Sequence, residues 1–278
     1  MNPIQAIVLG IVEGLTEFLP VSSTGHLTIA EKLLGLRVDD VGVTAFTAII
    51  QVGAIIAVIV YFRHDIAQLI SAWVRGLVRP EARTDPHWRM AWYVIIGSIP
   101  IGVVGLLGRH LVTGPLRSLW VVAAALIGWS IVMFIAERVG RKNRGEADLT
   151  AVDAVVIGLL QCVALIPGVS RSGATISAGL FRGLDRVSAT RFAFLLSIPA
   201  LVAAGAFEAA TSASAVGSSV GWTATLIATV VSFIVGYAAI AWLLRFVAHH
   251  SIAVFIWYRV ALAVVLVVLL VTGVITAV

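Results

Sequence analysis

Two carboxylates, Glu13 and Glu17, stand four residues apart in an otherwise apolar stretch. That spacing puts both on one face of a helix. Such a pair can hold a hard cation through oxygen ligands. It can also divide into an acid and a base with one proton favoured. The plainer alternative is that both only face a watery vestibule. Like charges at this spacing repel, which argues for a cation or a chemical role.

A second group follows at Ser22-Ser23-Thr24-Gly25-His26. Three hydroxyls precede a predicted helix start, where free N–H groups and the helix dipole favour an anion. His26 suits general acid or base work, and Ser23 becomes a nucleophile if His26 activates it. Simple N-capping by the hydroxyls is the competing account. A third group, Ser170-Arg171-Ser172-Gly173-Ala174-Thr175, sets an arginine in apolar surroundings. A buried guanidinium calls for a bidentate oxyanion, either a phosphate or a carboxylate such as Glu13 or Glu17. Gly168 to Thr175 has the spacing of a phosphate-binding loop, but Ala174 stands where that loop needs lysine and no strand precedes it. Nucleotide binding is therefore excluded, while a phosphate at a Gly/Ser turn is not.

The elements that position these groups follow from composition. Of 278 residues, 60% are hydrophobic and 12% charged, against about 25% charged in a soluble domain. A soluble globular fold, a disordered chain and a nucleic-acid-binding domain are excluded. The expectation is an all-α polytopic membrane protein, a single integral membrane domain over 1–278. Six stretches are long enough to span: roughly 42–62, 91–107, 119–136, 190–210, 222–247 and 260–278. Two further apolar regions, 3–36 and 154–184, are each broken by a Gly/Ser turn. They read as re-entrant helical hairpins, because broken backbone at membrane depth must be buried in protein or line a cavity. No signal peptide is predicted, and the single cysteine, Cys162, reads as a packing residue.

The loops set the orientation. Segment 63–90, read as a loop, carries five Arg, and 137–153 carries three Arg and one Lys. The stretch 245–259 adds Arg245 and Arg259, whereas 108–118 has two Arg and 211–221 none. The basic side is cytoplasmic, and the +5 net charge reads as orientation rather than as a polyanion partner. Glu208 is expected near an outer interface, and Trp73, Trp88, Trp92, Trp120, Trp222 and Trp257 near membrane boundaries.

Shifting the chain by 148 residues aligns twelve identities over 6–50, among them Gly10/Gly158, Ser22/Ser170, Gly25/Gly173 and Gly35/Gly183. Repeats of approximately 1–136 and 149–278 would each hold one hairpin and three spans. Three is odd, so the second is inverted, and the two polar turns converge near mid-membrane. From the residues alone the substrate is an anionic or phosphorylated molecule with a lipid tail.

Glu13-Gly-Leu-Thr-Glu17-Phe-Leu-Pro-Val-Ser-Ser-Thr-Gly-His26 and Pro167-Gly-Val-Ser-Arg-Ser-Gly-Ala-Thr175 resemble the two signatures of the membrane-integral undecaprenyl-diphosphate phosphatase family, linked to bacitracin resistance. The resemblance implies hydrolysis of undecaprenyl diphosphate to undecaprenyl phosphate and phosphate, recycling the lipid carrier for cell-wall polymers in the bacterial inner membrane. It implies a divalent cation, Mg²⁺ or Ca²⁺, a similar fold and a homodimer. Carried over, Glu13 and Glu17 would be metal or acid/base residues. Ser23 and His26 would be nucleophile and base, or would orient a water. Arg171 would bind the diphosphate, helped by Ser22, Thr24, Ser170, Ser172, Gly173 and Thr175. The first hairpin opens outward, which puts the site on the periplasmic side. The competing class is a transporter or flippase of undecaprenyl phosphate, because inverted repeats with broken helices also build transporters.

Overall fold

The fold is taken from a computed structural model that describes residues 1–37, 40–108, 116 and 118–277, without the side chains of 41 and 208–219. Eleven α-helices are formed among the described residues. They are α1 Pro3–Phe18, α2 Ser23–Leu33, α3 Val41–Tyr61, α4 Arg63–Val78, α5 Pro86–Leu107 and α6 Leu119–Val139. The others are α7 Ala151–Gln161, α8 Arg171–Phe181, α9 Arg186–Ser219, α10 Trp222–His249 and α11 Ala253–Val271. Six of them (α3, α5, α6, α9, α10 and α11) are long and apolar enough to cross a membrane. The chain is a multi-pass membrane protein.

The remaining apolar helices come in two pairs, α1–α2 and α7–α8. At 1.5 Å per residue, 16 residues of α1 reach only ~24 Å, and 11 residues of the others reach less. A bilayer core of ~30 Å is out of their range. Both pairs begin on a capping box, Asn2 with Gln5 and Thr150 with Asp153. Both turn through a serine at positive φ, Ser22 at 78° and Ser170 at 77°. Gly35 and Gly183, with φ of 72° and 82°, end α2 and α8 in the left-handed region that glycine tolerates. These paired features stand 148 residues apart. Gly10 and Gly158, another such pair, each lie against a neighbouring backbone. A Cβ would come within 2.5 Å of the Ala228 carbonyl at the first and 2.2 Å of the Gly97 carbonyl at the second.

The hairpins enter from opposite ends of the bundle. At one end the terminal amine of Met1 lies 3.5 Å from the Val220 carbonyl. There Gln5 donates to Leu34 O, Lys32 to Thr276 O, and the Leu119 N–H to Ala277 O. Helix α6 crosses from Leu119 to the other end, where Arg186 grips Glu137. That far end also holds the start of α7 and the end of α8, joined through Asp153. Between the ends, Phe18, Phe62 and Phe194 meet edge to face at 5.5 and 6.2 Å, packing the first hairpin against α3 and α9.

Asp153 is fully buried. It accepts from Arg144 Nη2 and Arg182 Nε at 2.6 Å each, and from the Thr150 hydroxyl at 2.8 Å. Its hydrogen bond in turn raises the Arg144 guanidinium above its ordinary value. Asp153→Asn keeps the shape and leaves two guanidinium groups without a counter-charge. Because both retain some water, the expected loss is roughly 3 kcal/mol, read as a lower melting temperature of the protein in detergent. An unchanged melt would show that the α7–α8 end is held by other contacts.

Two expectations are corrected. The segment 63–90 is not a loop. Arg63–Val78 is a helix that buries Leu69, Ala72 and Gly76 at three- and four-residue spacing. Trp73, Trp88 and Trp92 stack edge to face there, and Trp120, Trp222 and Trp257 are largely exposed. The last span is Ala253–Val271 rather than 260–278, which moves Arg259 from a loop into a helix. A charged residue can sit there because it faces inward onto carbonyl groups. The other spans hold within a few residues at most ends, α5 beginning five residues earlier and α9 running longer at both ends. Most of 108–118 and the side chain of Glu208 lie outside the described residues.

Candidate active site

The turns of the two hairpins meet. Arg171, first residue of α8, donates through Nη2 to Glu17 Oε1 at 2.5 Å. The Ser23 hydroxyl, at the start of α2, donates to the other oxygen, Glu17 Oε2, at 2.7 Å. One carboxylate thus holds the guanidinium of the second hairpin and the hydroxyl of its own. The Ser172 hydroxyl completes the crossing by donating to Leu19 O at 2.9 Å.

The two helix starts are not equivalent. Ser170 caps α8, its hydroxyl accepting from the Gly173 N–H. Ser22 makes no side-chain capping bond to α2. The first N–H groups of α2 are left without a capping side chain, and they carry the positive end of the helix dipole. Helix α2 is therefore the one that can take an anion, with Ser23 in its first turn and Arg171 on Glu17 beside it.

His26 is not paired with Ser23, contrary to expectation. Its Nδ1 lies 2.7 Å from the Ser22 carbonyl, and its Nε2 lies 2.6 Å from the Tyr258 hydroxyl. A carbonyl only accepts, so Nδ1 carries the proton. In the neutral ring Nε2 then accepts from Tyr258 Oη. The rings stack at 5.6 Å with 6° between planes. The group in contact with the Ser23 hydroxyl is Glu17.

The remaining predicted residues are placed as follows. Glu13, 1% exposed, lies one turn from Glu17, and its Oε1 has no partner among the described residues. Gln161, its counterpart 148 residues on, is also buried, its amide likewise without a partner among them. The Thr175 hydroxyl is buried and bonds back to Arg171 O at 2.9 Å, steadying the turn rather than facing a ligand. Ser170, Ser172 and Gly173 are likewise committed to bonds within and between the turns. Thr24 is exposed, and its carbonyl accepts from Thr28.

Two neighbours were missed by sequence reasoning. Tyr258 holds His26. Arg259, 0% exposed, reaches both turns. Its Nη1 donates to Pro20 O at 3.3 Å and its Nη2 to Gly168 O at 2.9 Å. Further bonds go to Ser130 Oγ and to the Ala125 and Leu126 carbonyls, all neutral acceptors. The available signal was the same one that exposed Arg171, a lone arginine inside an apolar run. It was lost because the span was drawn to start at residue 260, seven residues after the helix begins and just past Arg259.

The chain is similar to known proteins along nearly its whole length. Residues 6–265 match the family described as Bacitracin resistance protein BacA. The chain is 57% identical over 278 residues to the Undecaprenyl-diphosphatase of Acidothermus cellulolyticus, covering all of both chains. It is 58% identical over 277 residues to Undecaprenyl-diphosphatase 3 of Frankia casuarinae, again over all of both. Identity to the Undecaprenyl-diphosphatase of Mycobacterium sp. strain KMS is 51% over 280 residues, with full coverage of both. With nearly the whole chain matched, and both polar turns inside the matched region, the protein belongs to the bacitracin resistance protein BacA family.

Proposed function

We propose that this protein hydrolyses undecaprenyl diphosphate to undecaprenyl phosphate and inorganic phosphate. The observation that carries the reading is the chain Arg171–Glu17–Ser23 at the uncapped start of α2. Phosphoryl transfer needs little covalent machinery beyond positioning and stabilisation of charge on the equatorial oxygens. The N–H groups of α2 and the Arg171 fork supply donors for those oxygens. Ser23 Oγ is the nucleophile. Its bond to the terminal phosphorus forms as the bond from phosphorus to the bridging oxygen breaks, and undecaprenyl phosphate leaves. The Ser23 proton passes to Glu17 Oε2, which already accepts its hydrogen bond. Water then attacks the phosphoserine, the bond from phosphorus to Ser23 Oγ breaks, Glu17 returns its proton to Ser23 Oγ, and both protons of the water leave on the released phosphate, as dihydrogen phosphate. His26 lines the same turn, held in one tautomer by the Ser22 carbonyl and Tyr258.

A divalent cation fits these residues. Among the described residues no three His, Cys, Asp or Glu side chains form a metal cage. Mg²⁺, however, is commonly held by one or two carboxylates with substrate phosphate and water completing the shell. Glu13, with a buried unpartnered oxygen, and Glu17 would hold it. When bound, the cation supplies charge neutralisation of the diphosphate oxygens.

The test is phosphate release from a long-chain prenyl diphosphate by purified protein in detergent. Release that chelator abolishes, and that is lost in Ser23→Ala, is expected. Terminally labelled substrate should leave label on the wild-type protein on acid quenching and none on Ser23→Ala. No release from wild type would overturn the function. Release without any labelled protein would replace the serine nucleophile by direct attack of water.

In this reading the protein lies in the bacterial inner membrane with the site open to the periplasm. Support comes from the basic segments 63–90 and 137–153, which meet at the end opposite the first hairpin. With Cys162 replaced by serine, a cysteine at position 143 should react only from the cytoplasmic side and one at 215 only from outside. The reverse labelling would invert the orientation.

A further inference from the structure

We propose a second ligand site, a cleft at the basic end that binds the headgroup of an anionic phospholipid. It does not rest on the hydrolase reading and shares no residue with the candidate active site. The cleft lies between the end of α6, the start of α9 and the start of α11. It encloses about 400 Å³ and is lined by Phe134, Glu137, Arg138, Lys142, Arg186 and Trp257 among others.

The charges there are not balanced. Three cations face one carboxylate, leaving two positive charges. Glu137 is consumed by Arg186, whose Nη2 and Nε both contact it. Lys142 lies 3.7 Å from the same carboxylate and donates to the Gly140 carbonyl at 3.2 Å. Arg138 has no carboxylate partner among the described residues. Its guanidinium rests over the Phe134 ring, 5.1 Å from the centroid. Its donors are therefore free for an incoming phosphate.

The wall of the cleft indicates the source of that phosphate. Trp257 is 69% exposed and Phe134 43% exposed. In a multi-pass protein such faces meet acyl chains, and an exposed Trp sits at headgroup level. Cations beside lipid-facing aromatic groups at the cytoplasmic end match the chemistry of an anionic lipid. A free phosphate would use the cations and leave the apolar wall without purpose.

The test uses wild-type protein in detergent with equal amounts of phosphatidylglycerol and phosphatidylcholine, retained lipid being counted by native mass spectrometry. Wild type should keep the phosphatidylglycerol. Arg138→Gln with Lys142→Gln should lower that retention about tenfold without altering the little phosphatidylcholine kept. Millimolar inorganic phosphate should not displace the lipid. Arg138→Gln alone, which touches no helix-end carbonyl, gives the same reading should the double variant fail to fold. Equal retention of the two lipids by wild type, or unchanged retention by the folded variants, would overturn the site. Displacement by inorganic phosphate would overturn the lipid as its occupant.

Discussion

Arg171→Ala lowers phosphate release from a prenyl diphosphate by on the order of 10²–10³-fold, mainly in kcat, the scale of losing one preorganised oxyanion donor. The argument starts from what the guanidinium does at rest. It spends one N–H on Glu17 Oε1 and is 16% exposed, so part of its fork faces the space beside α2. Ground-state binding also draws on the α2 N–H groups and the lipid tail, whereas charge develops on the transferring phosphoryl group only in the transition state. Arg171→Lys keeps the charge but not the planar fork, and should lie between wild type and alanine. Glu17→Gln removes the carboxylate that accepts the Ser23 hydrogen bond and should be comparably damaging. Because Arg171 and Glu17 act through one contact, the double variant should lose much less than the two single losses multiplied. Additive losses, or a change confined to KM, would show that Arg171 only gathers substrate.

Arg259→Ala should cost both fold and activity. The side chain is fully buried and supplies donors to five neutral acceptors. The Pro20 and Gly168 carbonyls belong to the two broken turns. Among the described residues neither accepts a bond from the backbone. Unpaired carbonyls away from water cost about 1–3 kcal/mol each, so two of them set a lower bound of about 2 kcal/mol. At ~2–4 °C per kcal/mol this is a fall in melting temperature of at least roughly 4–8 °C. Arg259→Lys retains a donor of the right charge with shorter reach and should recover part of the stability. If Arg259→Ala melts with wild type, the turns are held by the Ser172 and Arg171 contacts alone.

Much of this was legible in the chain before folding. The bilayer requires every backbone polar group to be satisfied internally, so spans and breaks announce themselves as apolar runs and their interruptions. In such a background Glu13, Glu17 and Arg171 were conspicuous, because ionisable residues at membrane depth are expensive. The 148-residue offset also carried through to the backbone, where Ser22 and Ser170 share a positive φ. Other features depend on packing. Helix α4 was missed because five arginines within 63–90 outweighed an apolar face only one side wide.

The pairings could not be read from spacing at all. Sequence placed His26 three residues from Ser23 and suggested a base and its nucleophile. In the folded protein Tyr258, 232 residues away, takes the imidazole, and Glu17 takes the hydroxyl. Helical geometry explains the first half: a residue at i+4 reaches back to the carbonyl at i, so His26 is drawn to Ser22. The second half is a tertiary effect, since Glu17 is fixed by Arg171 from the other hairpin. Composition and pattern establish a membrane protein with two polar turns, because hydrophobic thickness acts on every residue locally. Which donor from the other hairpin meets Glu17, what holds His26, and what Arg259 holds are settled by contacts across more than ninety residues, where only the packed bundle chooses the partner.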